Sequence, residues 1–254
     1  MTGSPVRDPR LATDGAQRWP GRVTAWLPAI ESALAEVPAG KAGVRLGGVE
    51  ALAPLLAVDG AIGSVAAGAI GPGARPVRAI LFDKGTGNNW ALGWHQDRTI
   101  SVRERRNVPG FGPWTTKGGS LHVAPPFAIL AAMVTVRVHL DRVGRGNAPL
   151  LIAPGSHRLG RIAAIDVKAA VERCGTYACL AEPGDVWVTS TPILHASDRA
   201  RWPSRRRVLQ LDYASGDLPG GLEWQEVTGG RSPPDVISSC TGENSHCRGI
   251  ANTA

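Results

Sequence analysis

The sequence predicts a mainly β protein with flanking helices, built as a sandwich or barrel. Between Pro76 and Tyr213 at least seven short segments are rich in apolar and β-branched residues, and Gly- and Pro-rich turns separate them. Helical periodicity is concentrated ahead of these segments, and no internal repeat points to a solenoid. With 254 residues, 43% of them apolar, the chain is long enough to bury a core as one large β domain.

Residues 1–20 are polar and rich in Pro, Gly and Arg, and read as a flexible lead-in. From Arg22 to Val37, apolar residues at Val23, Trp26, Leu27, Ile30, Leu34 and Val37 recur on one helical face, and Gly40 ends the run. Gly48 to Val58 reads as a shorter helix with Leu52, Leu55 and Leu56 inward. Strands follow at Val77–Phe82 and Trp94–Val102, with the turn-rich stretch 83–89 between them. Residues 103–127 carry four Gly and four Pro and read as a lid or substrate loop. Ala132–Leu140 alternates around Val134, Val136 and Val138, a strand pattern, and Leu150–Ala153 is another strand, closed by Pro154-Gly155. Ala163–Cys174 has room for a helical turn; Tyr177–Leu180, Asp185–Thr189 and Val208–Tyr213 complete the strands. Residues 21–227 are therefore expected to form one domain. The tail 228–254, dominated by Gly, Ser, Pro, Asn and Cys, is expected to be poorly ordered.

Composition limits the function classes. No apolar run reaches the eighteen or so residues of a membrane helix, and the N-terminus lacks the apolar core of a signal peptide, so a cytoplasmic protein without membrane partners is expected. Cys174, Cys179, Cys240 and Cys247 fit no zinc spacing and read as free thiols. The net charge of +7 is mostly arginine, clustered at 103–106 and 199–207. No aromatic residues interleave these clusters as on a nucleic-acid platform, so no nucleic-acid partner is expected.

The chemistry gathers at Trp94-His95-Gln96-Asp97. On a strand, residues two apart share a face, so His95 and Asp97 can offer an imidazole nitrogen and a carboxylate oxygen to one metal while Gln96 points away. His195, 98 residues past Asp97, is the best third ligand. Two His and one carboxylate on one face leave positions open, the arrangement of non-haem Fe(II) oxygenases. Arg206, eleven residues after His195, could grip a carboxylate with two parallel hydrogen bonds. Arg205 and Arg207 would then face the opposite way. A second pair of the same form, His139 and Asp141, lies 54 residues before His195, and the residues alone leave it open.

Four segments in this order resemble the phytanoyl-CoA dioxygenase family of Fe(II)/2-oxoglutarate oxygenases: Trp94-His95-Gln96-Asp97, the loop from Asn147 to Pro154-Gly155-Ser156-His157, His195-Ala196-Ser197, and Arg206. The resemblance spans about residues 75–227. It implies a double-stranded β-helix, a jelly roll of the cupin kind, holding Fe(II) through His95, Asp97 and His195. It implies that Arg206 and Ser197 bind 2-oxoglutarate and that Trp114 is the aromatic beside this co-substrate. It favours His95 over His139 as the ligand, with Asp141 a turn residue. The expected partners are a small-molecule substrate and dioxygen, with succinate and CO2 released. A carboxylate at 97 favours hydroxylation over halogenation, which leaves a small residue at that place. A metal-binding jelly roll without oxygenase activity and a zinc hydrolase are the competing classes. Lys84 and Asn88 are further candidates near the pocket, His122 in the expected lid reads as a loop or substrate-side residue, and His157 reads as a turn cap or a pocket residue.

Overall fold

The computed structural model describes residues 7–117, 119–225, 227 and the backbone of 235–237. Its strands are β1 (Ala16–Trp19), β2 (Gly43–Leu46), β3 (Ala74–Lys84), β4 (Leu92–His95), β5 (Ile100–Ser101), β6 (Trp114–Lys117), β7 (Ser120–Val123), β8 (Val134–His139), β9 (Leu150–Ile152), β10 (Tyr177–Cys179), β11 (Val186–Ser190), β12 (His195–Ser197), β13 (Arg206–Ser215) and β14 (Asp235–Ile237). They form an antiparallel major sheet in the order β1-β11-β8-β13-β3-β2-β14, a minor sheet β10-β9-β12-β4 and a third sheet β5-β7-β6. This is the jelly roll that the resemblance implied, within the sandwich or barrel expected from the strand pattern.

The sides of the major sheet follow from strand alternation. Leu209, Leu211 and Tyr213 of β13, Val134, Val136 and Val138 of β8, and Val186 and Val188 of β11 share one core. Ile30, Leu52, Leu55, Leu56 and Ile62 from the N-terminal helical segment cover it. Each such side chain contributes roughly 1.5–3 kcal/mol when taken from water. The other face of the same strands carries Thr135, Arg137 and His139 on β8 and Arg206, Gln210 and Asp212 on β13, all buried. The minor sheet closes over this polar face; an apolar cluster of Trp187, Leu150, Ile152 and Cys179 fills part of the space between the sheets, and the buried polar and charged side chains occupy the rest.

The helical segment is α1 (Leu11–Asp14), α2 (Leu27–Ala33), α3 (Ala53–Leu56) and α4 (Gly63–Ile70), with α5 (Phe127–Ala131) and α6 (Val167–Cys174) further on. The helix expected over 22–37 is a 3-10 turn at Thr24–Trp26 followed by α2. Pro28 explains the break: it sits in the first turn of α2, where it needs no amide partner, and a longer helix would place its ring against the carbonyl four residues back. Leu52, Leu55 and Leu56 point inward as expected. The sequence showed no sign of α4, because its Gly and Ala residues carry little amphipathic contrast. Its first residue must be glycine, since a Cβ at Gly63 would lie 1.9 Å from the Ala57 carbonyl oxygen.

Three expectations change. Residues 16–19, placed in a flexible lead-in, pair with Val186–Thr189 as an edge strand. Ala16 is fully buried there, and Arg18 pairs with Asp185. The strand expected over 94–102 is split: β4 stops at His95, and β5 joins the third sheet. The expected lid at 103–127 contains an ordered hairpin, β6–β7. Within the tail, 235–237 pair with β2, and the rest of 228–254 lies outside the described residues. Cys174 and Cys179 are free thiols; Cys240 and Cys247 lie outside the described residues. None of the helices among the described residues is long and apolar enough to cross a membrane.

Candidate metal centre and co-substrate pocket

His95 ends β4 and His195 begins β12, and the two are direct cross-strand partners. Their rings lie 4.2 Å apart, tilted by 55°. Each ring turns Nδ1 to a backbone carbonyl two residues earlier, Gly93 O at 2.8 Å and Ile193 O at 2.9 Å. Those carbonyls place the proton on Nδ1 and leave Nε2 as the free donor atom on both rings. Asp97 completes the set: one ligand atom from each of His95, Asp97 and His195 lies within 4.8 Å of the others. An ion with bonds of about 2 Å can draw such a set together. Three donors from one side leave further positions open, so the residues fit a facial iron site.

Asp97 reaches this place by a different route from the one expected. It lies in the turn after β4, so strand parity alone does not bring it to His95. Gln96, buried and pointing away, fixes the turn. Its Nε2 donates to Gly160 O at 3.0 Å and Pro192 O at 2.8 Å, and its Oε1 accepts from Ile162 N at 2.9 Å. Burial pushes the Asp97 carboxyl up, but Arg78, His195, His95 and Lys117 outweigh it and hold the group at about 2. Burial and the neighbouring His95 bring His195 down to about 4. Both ligands are therefore in the metal-binding protonation state at neutral pH.

Arg78, which the sequence reading missed, sits between two carboxylates. Its NH2 lies 3.3 Å from Asp97 Oδ2, and its Nε 2.5 Å from Asp212 Oδ2. Thr135 Oγ1 donates to Asp212 Oδ1 at 3.0 Å. Further along the interior face are Arg206, paired in register with Lys84, and Arg137, paired with Gln210. Arg206 is 4% exposed and donates to Ala148 O, with its Nε unpartnered. Burial and nearby Arg137 lower Arg206 to about 9. Arg137 is also buried; it donates to Gln210 Oε1 and lies over the Phe82 ring, and its Nε too is unpartnered. Neither guanidinium meets a carboxylate among the described residues. Buried cations of this kind call for an anion from outside the chain.

Lys84, a weak candidate on sequence, is buried beside Arg206 and Ser197. Its Nζ donates to Asp198 O at 2.8 Å and lies 3.4 Å from Ser197 Oγ and 4.7 Å from the centre of the Trp90 ring. Burial first, then Arg206, lower its ammonium to about 7. Ser197 Oγ donates to Ala148 O at 3.3 Å, the same carbonyl that Arg206 uses. Arg206, Ser197 and Lys84 thus form one cluster, while Arg207 faces the other way to Asp141 and Glu31.

The structure does not bring the remaining candidates to the metal. Trp114 lies in the apolar cluster with Val123 and Ile100, under Arg105 at 5.6 Å, on the face of β6 opposite Lys117. Its expected place beside the co-substrate is corrected: strand alternation turns it away from Asp97. The rival pair is also resolved. Both Asp141 oxygens are taken by Arg207, at 2.7–2.9 Å, and His139 is buried by itself, with Nδ1 unpartnered. Asn88 is a loop buckle, accepting from Gly85 N and donating to Asp83 O and Gly40 O. His157 packs over Gly15, where a Cβ would lie 2.3 Å from its ring. His122 is fully buried on β7 beside Ser101. Arg78 and Arg137 did leave a sequence signal. For Arg137 it is the alternation of Thr135, Arg137 and His139 with Val134, Val136 and Val138 in β8, which ordinarily marks a solvent face; for Arg78 it is a single charge inside the otherwise apolar run 77–82 of β3.

A family model described as phytanoyl-CoA dioxygenase (PhyH) matches residues 57–208. Solved structures share the fold. One is EctD from S. alaskensis with bound Fe, at 17% identity and a TM-score of 0.58, covering 87% of this chain and 79% of that one. Another is the epimerase SnoN in complex with Fe3+, alpha ketoglutarate and nogalamycin RO, at 15% identity and 0.58, covering 92% and 94%. A third is HygX from Streptomyces hygroscopicus with nickel, 2-oxoglutarate and hygromycin B, at 15% identity and 0.54, covering 85% and 94%. No curated protein sequence matches the chain.

Proposed function

The chain belongs to the phytanoyl-CoA dioxygenase family, and from that premise we propose that it oxidises, by hydroxylation, a small-molecule substrate. Its class is that of the 2-oxoglutarate-dependent dioxygenases, with iron and 2-oxoglutarate as cofactors. The observation that carries the reading is the pairing of His95, Asp97 and His195 with a buried guanidinium, Arg206, that has no carboxylate of its own.

His95, Asp97 and His195 would hold the iron, with Nε2 of each imidazole directed inward by the carbonyls behind it. When bound, iron(II) chelated by the keto acid activates dioxygen for oxidation of the substrate, with succinate and CO2 released. Arg206, Lys84 and Ser197 would take the distal carboxylate of 2-oxoglutarate, which supplies the anion their cluster lacks. Arg137, whose charge acts on both Arg206 and His195, would face the remaining carboxylate. Arg78 keeps Asp97 ionised and directed at the metal. Val208 and Phe82, paired in register on the same face, keep that part of the floor apolar.

The test is an anaerobic titration of the Fe(II)-loaded protein with 2-oxoglutarate, reading the visible charge-transfer band of a chelated keto acid. The band should appear, and Arg206→Ala should raise the half-saturating concentration at least tenfold. Absence of the band with iron bound would sink the proposal.

A further inference from the structure

This inference rests on the proposed oxygenase reading and concerns the prime substrate. The third sheet has two unlike faces. Trp114, Leu121, Val123 and Ile100 turn into an apolar cluster. By register, Thr115 is opposite His122, His122 opposite Ser101, and Lys117 opposite Ser120, so these polar side chains share the other face. That face looks toward the metal ligands. Arg78, Lys117 and Asp97 all act on His122, which burial and those cations bring down to about 3. It is a neutral imidazole in a polar wall, with Ser101 Oγ at 3.4 Å.

Lys117 stands out on this wall. Its Nζ donates to Thr99 Oγ1 at 3.2 Å, two residues beyond Asp97. Its charge acts on Asp97 and Arg78, yet no carboxylate pairs with it among the described residues. The nearby acids are already engaged: Asp97 by Arg78 and the metal set, and Asp212 by Arg78 and Thr135. Arg206 and Lys84 face the co-substrate end. Lys117 is exposed at this edge, so its ammonium, with one hydroxyl as its protein partner, is open to a further ligand. We propose that the prime substrate is a small polar acid whose carboxylate pairs with Lys117, its polar atoms lying along Thr115 and Ser120. An unsubstituted acyl chain would meet hydroxyls, an imidazole and an ammonium on this wall.

The experiment uses the Fe(II)- and 2-oxoglutarate-loaded protein and a panel of small carboxylic acids, each beside its primary amide. Two readouts are taken: the thermal unfolding midpoint under anaerobic conditions, and succinate release in air. Acids should raise the midpoint and stimulate succinate release where their amides do not. In Lys117→Gln the half-saturating concentration of an active acid should rise about ten- to hundredfold, with the keto-acid band titration unchanged. Lys117→Arg should restore most of the binding. Amides as effective as acids, no response to any acid, or an acid preference that survives in Lys117→Gln would each overturn the inference. Failure of the wild-type protein to form the keto-acid band would instead bring down the oxygenase reading itself.

Discussion

Arg78 lies between Asp97 and Asp212, tying a metal-site carboxylate to the polar floor of the major sheet. The arrangement orients one oxygen of Asp97 from behind while the other is free for an ion. Replacing Arg78 with Met should therefore weaken Fe(II) binding about 10- to 100-fold, the usual cost of losing a group that orients a ligand. Anaerobic Fe(II) titration followed by tryptophan fluorescence measures it. Unchanged affinity would show that Arg78 serves only Asp212.

The two His-x-Asp pairs make opposite predictions. Asp97→Ala should abolish Fe(II)-dependent turnover of 2-oxoglutarate. Asp141→Asn should leave it intact and cost stability, about 1 kcal/mol, because a partly exposed pair with Arg207 is weakened. Succinate assays and urea melts of the two variants separate the roles. Loss of turnover in the Asp141 variant would reverse the assignment.

Lys84 predicts the pH dependence of co-substrate affinity. In the free protein its ammonium titrates near 7, lowered by burial and by Arg206. A bound carboxylate favours the charged form and raises that value. Below 7 the group is already charged, so affinity is flat. Above 7, binding must take up a proton, so affinity falls as pH rises, until the raised value is passed. Keto-acid band titrations from about pH 6 to 9 should show this decline, and Lys84→Met should remove it.

Arg137 has no acidic partner among the described residues and lies on the same interior face as Arg206. Arg137→Gln should weaken 2-oxoglutarate about tenfold with little loss of iron affinity, since it removes a charged hydrogen-bond donor from a site that binds an anion. Because the guanidinium is a desolvated charge, the same variant should melt at an equal or higher temperature. A lower melting temperature without a change in affinity would make it a structural residue.

Leu211, fully buried where β13 meets the helical segment, tests the outer core. Leu211→Ala should destabilise by about 2–5 kcal/mol in urea melts while the remaining folded protein keeps its iron affinity.

Much of the site could be read in the chain because its chemistry is carried by rare residues at fixed offsets. His95, Asp97 and His195 come together, Asp97 through the segment after β4 rather than through strand parity, and Arg206 faces inward while Arg207 faces out. Other features depended on neighbours that a linear reading does not contain. Arg137 lies on a strand whose alternation looks half-exposed, and Arg78 is a lone charge in an apolar strand; only closure of the minor sheet over that face makes it an interior. Trp114 was misplaced because one residue along a strand reverses the direction of a side chain. Strand β1 has too few residues to show a period, and its pairing with β11 spans most of the chain length. The helix at 63–70 is too rich in Gly and Ala to announce itself.

The two-sided β13 also limits how this gene can change. Its even-numbered positions from Arg206 to Asp212 serve chemistry, and its odd-numbered positions from Leu209 to Tyr213 serve cohesion. Exchange of one residue at a time injures one property and spares the other. A codon gained or lost at the start of this strand would send Leu209 and Leu211 into the charged pocket and the guanidinium into the oily layer, unless the register with β3 and β8 slipped to compensate. Descendants of this chain should thus accept change at exposed loop positions on either side of the strand, such as Arg199, Arg201, Asp217 and Pro219, and keep the strand's length fixed.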